Sequence, residues 1–188
     1  MKNKINSRCV QHAIEQTVKF RQKYKIATSR LAGYDYGSNG FYYVTICTNK
    51  MIHFFGEIVE THNCASQQKT QIGQISEDYW QRIPMHYPFV EVDEFIIMPN
   101  HIHGILFFNL PEKKDWIFNQ FGKQSQNLGS VIRAFKSSVK RYANQNHIEF
   151  SWQPRFYDRI IRDNKELNTV RQYIMDNPTR WEKTNMDI

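Results

Sequence analysis

Two apolar segments meet at one turn dipeptide near the middle of the chain. Residues 89–98 lead into Pro99-Asn100, and residues 101–108 lead away. Proline and asparagine are turn formers. So short a connection can join only antiparallel strands, because parallel strands need a crossover of a dozen residues or more. A β-hairpin is therefore predicted, and with it a sheet. Side chains alternate along a strand, so His101, His103, Ile105 and Phe107 share one face. The polar pair stands at one end of an otherwise apolar face, directly after the turn. Two imidazoles on one face can share a divalent cation. They can equally stand unconnected near a sheet edge, and spacing alone does not choose.

The rest of the chain mixes strands and helices. Residues 34–40 read as a turn and 41–48 as an aromatic, β-branched strand. Residues 52–59 read as a second extended piece with Gly56 as a bulge or turn, and 61–70 as a polar loop. Ser76 is placed as the cap of a helix reaching about residue 86, with Glu77 and Asp78 at its positive end. Residues 109–127 read as a polar connection. Over 128–144, Leu128, Val131, Ile132, Phe135, Val139 and Tyr142 recur at helical spacing, and Arg133, Lys136 and Lys140 share another face. Residues 152–161 are extended or irregular. Asp163 caps a last helix, with Glu166 three residues on as in a capping box. Pro178 is expected to end that helix near Asn177. Without a strict βαβα alternation, the pattern predicts an α+β sheet with helices packed on it.

The 188 residues suit one core-bearing domain, at 30–188, behind a basic leader at 1–29. The leader carries Lys2, Lys4, Arg8, Lys19, Arg21, Lys23 and Lys25 against Glu15 alone, and reads as a solvated tail or as an arm on phosphates. A net charge of +7 favours a polyanionic partner, nucleic acid ahead of a membrane. Cys9, Cys47 and Cys64 form neither a disulfide framework nor a zinc spacing, which points to free thiols in a reducing cytoplasm. No apolar run reaches membrane-spanning length.

In the last helix Leu167, Val170 and Ile174 make an apolar stripe. Tyr173 and Asn177 lie one turn apart at its edge. By themselves they read as a core tyrosine and a helix-ending asparagine, or as two groups facing the sheet.

His101-Ile102-His103, within Met-Pro-Asn-His-Ile-His-Gly, resembles the histidine–hydrophobic–histidine motif of the HUH endonucleases. Tyr173-Ile174-Met175-Asp176-Asn177-Pro178 resembles the tyrosine motif of the REP-associated tyrosine transposases. Trp152-Gln153-Pro154-Arg155-Phe156-Tyr157-Asp158-Arg159-Ile160-Ile161-Arg162, Tyr34-Asp35-Tyr36 and Leu128-Gly129-Ser130 resemble that family too. The motifs follow the family's order over about residues 30–181.

The resemblance implies a ferredoxin-like antiparallel sheet with helices on one face. It also implies a single-strand DNA endonuclease and strand transferase acting at hairpin-associated sites. The family's ligand set falls on His101, His103 and Asn177, holding Mg2+ or Mn2+. The nucleophile falls on Tyr173, which would form a 5′-phosphotyrosine and free a 3′-hydroxyl. No dedicated base for the phenol proton is legible. Arg133, Lys136, Lys140, Trp152, Arg155 and Arg162 are the candidate contacts to single-stranded or hairpin DNA, through phosphates and base stacking. The same residues also fit a solvated helix face and local packing.

A catalytically silent nucleic-acid binder descended from a transposase is the main rival. A histidine-triad phosphotransferase would need a third histidine where Ile105 stands. A structural zinc site would need ligand spacing that His86 and Cys64 lack. Monomer and homodimer both remain open, as does a tyrosine helix serving a partner's histidines.

Overall fold

The computed structural model describes residues 18–20, 23–25, 30, 31, 33–61, 64–111 and 126–185. It divides into two units, Met1–Tyr34 and Asp35–Ile188. Most of the basic leader and residues 112–125 of the polar connection lie outside the described residues. In the first unit β1 (Val18–Phe20) pairs antiparallel with β2 (Lys23–Lys25).

The second unit runs β3 (Gly40–Cys47), β4 (Gly56–Thr61), β5 (Cys64–Lys69), α1 (Gln71–Gln81), a single-turn α2 (Ile83–His86), β6 (Val90–Met98), β7 (His101–Phe108), α3 (Leu128–Gln145), β8 (Tyr157–Ile161), α4 (Asn164–Met175) and α5 (Asn177–Asn185). Among the described residues its main sheet has four strands, in the antiparallel order β6-β7-β3-β8. Removing the β4–β5 hairpin from the list leaves β3-α1-β6-β7-α3-β8. That is the βαββαβ pattern of a ferredoxin-like α+β domain. The hairpin expected around Pro99-Asn100 is there, and β7 is a central strand.

Alternation on β7 divides the core. Ile102, Gly104 and Leu106 face α1, whose Trp80 lies against Gly104. Trp80 also meets Phe95 of β6 and Phe135 of α3, so α3 packs beside α1. Ile105 faces the opposite way. It forms a second cluster with Tyr43, Ile161 and three residues of α4, Leu167, Val170 and Ile174. Helices therefore cover both faces of the sheet. The ferredoxin-like pair α1 and α3 takes one face, and the C-terminal helix the other.

Local signals explain most boundaries and correct three expectations. Asn127 caps α3 in a reciprocal capping box with Ser130, and the Asp163 side chain accepts from Glu166 N at the start of α4. Glu166 reaches back to Arg162 N rather than to the cap residue itself. The first correction is at α1, which begins earlier than expected. Thr70 is its cap, accepting from Gly73 N at 3.1 Å, while Ser76 is buried inside the helix. The second is the 61–70 region, which holds a strand, β5. Its polar sequence carries no apolar alternation, but main-chain bonds to β4 need none. Third, the chain does not leave helical geometry at Asn177. Asp176 stays in the right-handed helical region, its carbonyl accepts from Arg180 N, and α5 runs on with Pro178 in its first turn, where a missing N–H costs nothing. No described helix is long and apolar enough to cross a membrane.

Gly104 fills a position no larger residue can take. A Cβ there would stand 2.4 Å from Trp80 Cζ2 and 2.9 Å from Cε2. Trp80 is fully buried and has no room to retreat. Gly104→Ala is expected to destabilise the domain by about 2–3 kcal/mol, read as a lower midpoint in urea. An unchanged midpoint would mean that the indole is not wedged there.

Candidate active site

His101 and His103 open β7 and are both buried, at 8% and 6% exposure. The pleat turns both rings to the α4 face. Their Nε2 atoms stand 3.0 Å apart, with ring planes at 70°.

The outer nitrogen of each ring is held in place. Asn100 Nδ2 donates to the carbonyl of Met51 at 3.1 Å. That carbonyl can only accept, so the orientation of the Asn100 amide is fixed. Asn100 Oδ1 therefore faces His101 Nδ1, 2.7 Å away, and His101 carries its proton on Nδ1. Its Nε2 is left with a lone pair directed at His103. His103 Nδ1 meets two hydroxyls, Tyr43 at 2.7 Å and Thr45 at 2.9 Å. The Thr45 hydroxyl also donates to that of Tyr43 at 3.2 Å. Hydroxyls donate or accept, so His103 has two consistent states. It can carry its proton on Nε2 and give it to His101, or carry it on Nδ1 and turn a second lone pair inward.

The second state suits a cation. Two ligands at right angles, each about 2.1 Å from a six-coordinate cation, are about 3 Å apart. The observed separation matches that span, and neutral imidazoles are the ligand form. Burial pushes His101 down to about 4. Burial, reinforced by the charge His101 would carry, holds His103 well below its ordinary value. The pair would supply two nitrogens and Asn177, buried at the head of α5, an amide oxygen. The donor set fits a divalent cation.

The C-terminal helices reach this site from α4 to α5. The Tyr173 ring lies 5.3 Å from the His103 ring and 6.4 Å from Tyr43, both edge-on. Trp181 lies 5.8 Å from His101. Asn177 is four residues from each, between the contact to one histidine and the contact to the other. Arg180 places its guanidinium 5.5 Å from the centre of the Tyr173 ring. The helix is pinned by Arg171, whose Nε donates to Asp93 Oδ1 at 2.8 Å while Nη2 donates to Oδ2. This hydrogen-bonded pair holds the Asp93 carboxyl below its usual range. Asp93 sits where β6 shifts register against β7, between Val92 and Phe95.

Comparison with known proteins follows the same line. No family model matches the chain. A Haemophilus influenzae protein named only as uncharacterized is 38% identical over 169 residues, 85% of this chain and 91% of the relative. A second H. influenzae protein, carrying the provisional name REP-associated tyrosine transposase, is 31% identical over 134 residues, 68% of this chain and 70% of the relative. This chain belongs to the REP-associated tyrosine transposase family. A solved REP-associated tyrosine transposase bound to a REP hairpin is 21% identical, with a TM-score of 0.55 over 81% of this chain and 74% of that one. That likeness concerns the fold.

Within this transposase-family chain, the sequence-predicted residues separate into two groups. His101, His103 and Tyr173 come together on one face of the sheet, and Asn177 lies buried one turn beyond Tyr173. The candidate DNA contacts lie elsewhere and are not alike. Arg133, Arg155 and Arg162 are exposed. Lys136 instead donates to the carbonyls of Gln153 and Arg155, both at 2.7 Å, and burial lowers it to about 8. Lys140 donates to Phe150 O at 2.6 Å. Trp152 packs among Phe55, Phe135 and Phe150 and donates from Nε1 to Lys136 O. These three residues tie the 150–155 segment to α3.

Sequence reading missed Tyr43, Thr45, Asn100, Arg180 and Trp181. Only Trp181 had a legible signal, the four-residue step repeated from Tyr173 through Asn177.

The two neutral histidines should make stability depend on pH. An unfolded histidine takes a proton below about 6.5, and a folded His101 only near 4. The unfolded state therefore binds more protons between those values, and stability falls as pH drops through that window. For His101 the loss is on the order of 3 kcal/mol. Asp93 ionises below 3.8 and contributes outside the window. With chelator present, melting temperature from pH 7.5 to 4.5 should drop more steeply for the wild type than for His101→Gln/His103→Gln. Equal slopes would show that these rings are not held neutral.

Proposed function

We propose that this chain is a metal-dependent single-strand DNA endonuclease and strand transferase, with Tyr173 as nucleophile. One observation carries the reading. A tyrosine ring stands against one of two convergent, buried imidazoles, on a helix clamped to the same sheet, with Asn177 buried one turn further on.

His101, His103 and Asn177 would hold the divalent cation. When bound, that ion would polarise a non-bridging phosphate oxygen and offset charge in the transition state. Tyr173 Oη attacks phosphorus, and the bond from phosphorus to the 3′ oxygen breaks. The phenol proton is lost and the leaving 3′ oxygen gains one, so the products are a 5′-phosphotyrosine and a 3′-hydroxyl. The tyrosine ester keeps the energy of the phosphodiester, and a later 3′-hydroxyl can reverse the step on a new strand. Arg180, whose guanidinium lies over the Tyr173 ring, would favour the anionic form of the phenol. Tyr43 and Thr45 hold His103, and Asn100 holds His101, in the orientation the chemistry needs.

Arg133, Arg155 and Arg162 are exposed and are the proposed contacts to phosphates. Single-stranded DNA beside a hairpin is the proposed substrate, in keeping with the REP hairpin bound by the structural relative.

The direct test uses a 3′-end-labelled hairpin oligonucleotide taken from DNA beside the gene, with a single-stranded flank. With Mn2+, the label should migrate with the wild-type protein on a denaturing gel. Tyr173→Phe, His103→Ala and a chelator should each remove the adduct, while Tyr173→Phe still binds the oligonucleotide. Binding without an adduct across several hairpins and metals would leave the chain as a non-catalytic binder.

The clamp between Arg171 and Asp93 gives a second expectation. Tyr173 and the His103 ring it meets belong to one chain, so Tyr173→Phe mixed with His103→Ala should form no adduct. Recovered adduct would mean that the helix serves a partner.

A further inference from the structure

The loop between β3 and β4 holds a strained backbone conformation at two consecutive residues. Lys50 has φ 53° and ψ 23°, and Met51 follows at φ 57°. Two consecutive non-glycine residues in the left-handed region cost free energy, because each Cβ crowds the backbone. Burial could offset that cost, yet Met51 and Ile52 are 44% and 46% exposed and His53 is exposed as well.

The loop is held from below by the site itself. Thr48 Oγ1 lies 2.7 Å from Ile52 O and 2.9 Å from Asn100 O, and Thr48 N donates to Asn100 O. Asn100 Nδ2 donates to Met51 O, and the other end of the same amide accepts from His101. A single buried amide thus joins the strained turn to a proposed metal ligand. At the far end of the loop, the His53 ring lies 5.5 Å from Trp181, which lies 5.8 Å from His101. Both ends of the exposed segment therefore converge on His101.

We infer that Lys50, Met51, Ile52 and His53 form a base-reading element, which packs against a nucleobase of single-stranded DNA next to the scissile phosphate. This rests on the reading above that a phosphodiester is held at His101 and His103. A nucleotide at that point brings a phosphate and an unstacked base together. The loop offers the matching pair, the Lys50 ammonium for the backbone and an apolar, imidazole-flanked surface for the base. Strain spent on exposed apolar groups beside a reacting centre is explained by what they present to a ligand. A protein partner would bring no phosphate to the adjoining pair.

The test measures binding, not cleavage. The Tyr173→Phe protein is titrated with labelled hairpin oligonucleotides, each single-stranded flanking position carrying each base in turn. One or two positions should show a preference of about tenfold for one base. Adding Met51→Ser and Ile52→Ser should reduce that preference to less than about threefold, with the same affinity for the stem. Lys50→Gly should raise the melting temperature, because glycine takes a left-handed turn without strain, and should also weaken the preference. The inference falls if the serine variant keeps the full preference, if no flanking position shows one, or if Lys50→Gly melts lower. Failure of adduct formation would sink the nuclease reading alone, because none of these readouts needs an adduct.

Discussion

Two imidazole nitrogens 3.0 Å apart inside a protein face one demand: their lone pairs cannot both point at each other uncompensated. Either one ring gives a proton to the other, or a cation takes both lone pairs. His101 has lost its freedom, because Asn100 fixes its proton on the outer nitrogen. The choice passes to His103, whose outer nitrogen meets two hydroxyls able to donate or accept. A hydroxyl pair is thus the adjustable part of an otherwise rigid arrangement. A carboxylate in its place would force the outer proton onto His103 and leave the bare pair repulsive. The site can therefore rest without a cation and still turn two nitrogens to one, which on the proposed reading lets metal load after folding.

That arrangement depends on β7 being central. A central strand is fixed by ladders on both edges and by packing on both faces. Trp80 presses on Gly104 from one side, and the α4 cluster closes on Ile105 from the other. The alternation His-Ile-His-Gly-Ile is the sequence form of this two-sided demand. Histidines and Ile105 go to the α4 face, and Ile102 and the space left by Gly104 go to the other. Arg171 and Asp93 then set where the tyrosine helix lands, at the register shift of β6. Position along β7 and position along α4 are thus fixed by different contacts, and Tyr173 meets His103 where they cross.

The hairpin, the face shared by the histidines and the α3 and α4 helices were legible because each has a local cause: a turn dipeptide, a period of two, a cap. What was missed has long-range causes. Tyr43 and Thr45 reach His103 only through the register of β3 against β7, which no single segment encodes. Strand β5 owes its form to main-chain pairing with β4. Lys136, Lys140 and Trp152 looked like a nucleic-acid surface because their residue types suit one. The 150–155 segment folds back over α3 and takes their polar atoms for its own carbonyls and for Lys136 O. Pro178 was read as holding Asn177 out of helical geometry, but Asn177 opens α5 and Pro178 sits in its first turn, where no N–H is needed.

Had the helix ended at Asn177, that residue would sit on a free end and its amide would be poorly fixed. Because α5 continues, Asn177 is buried between a turn bearing Tyr173 and a turn bearing Trp181, each against one histidine. Arg180 reaches back to both Asp176 and the Tyr173 ring. Helical spacing keeps Tyr173, Asn177 and Trp181 in a row. Here α4 meets the sheet through Asp93, and α5 meets His101 through Trp181. The proposed nucleophile and the proposed ligand thus have separate anchors, Arg171 on Asp93 for α4 and Trp181 on His101 for α5.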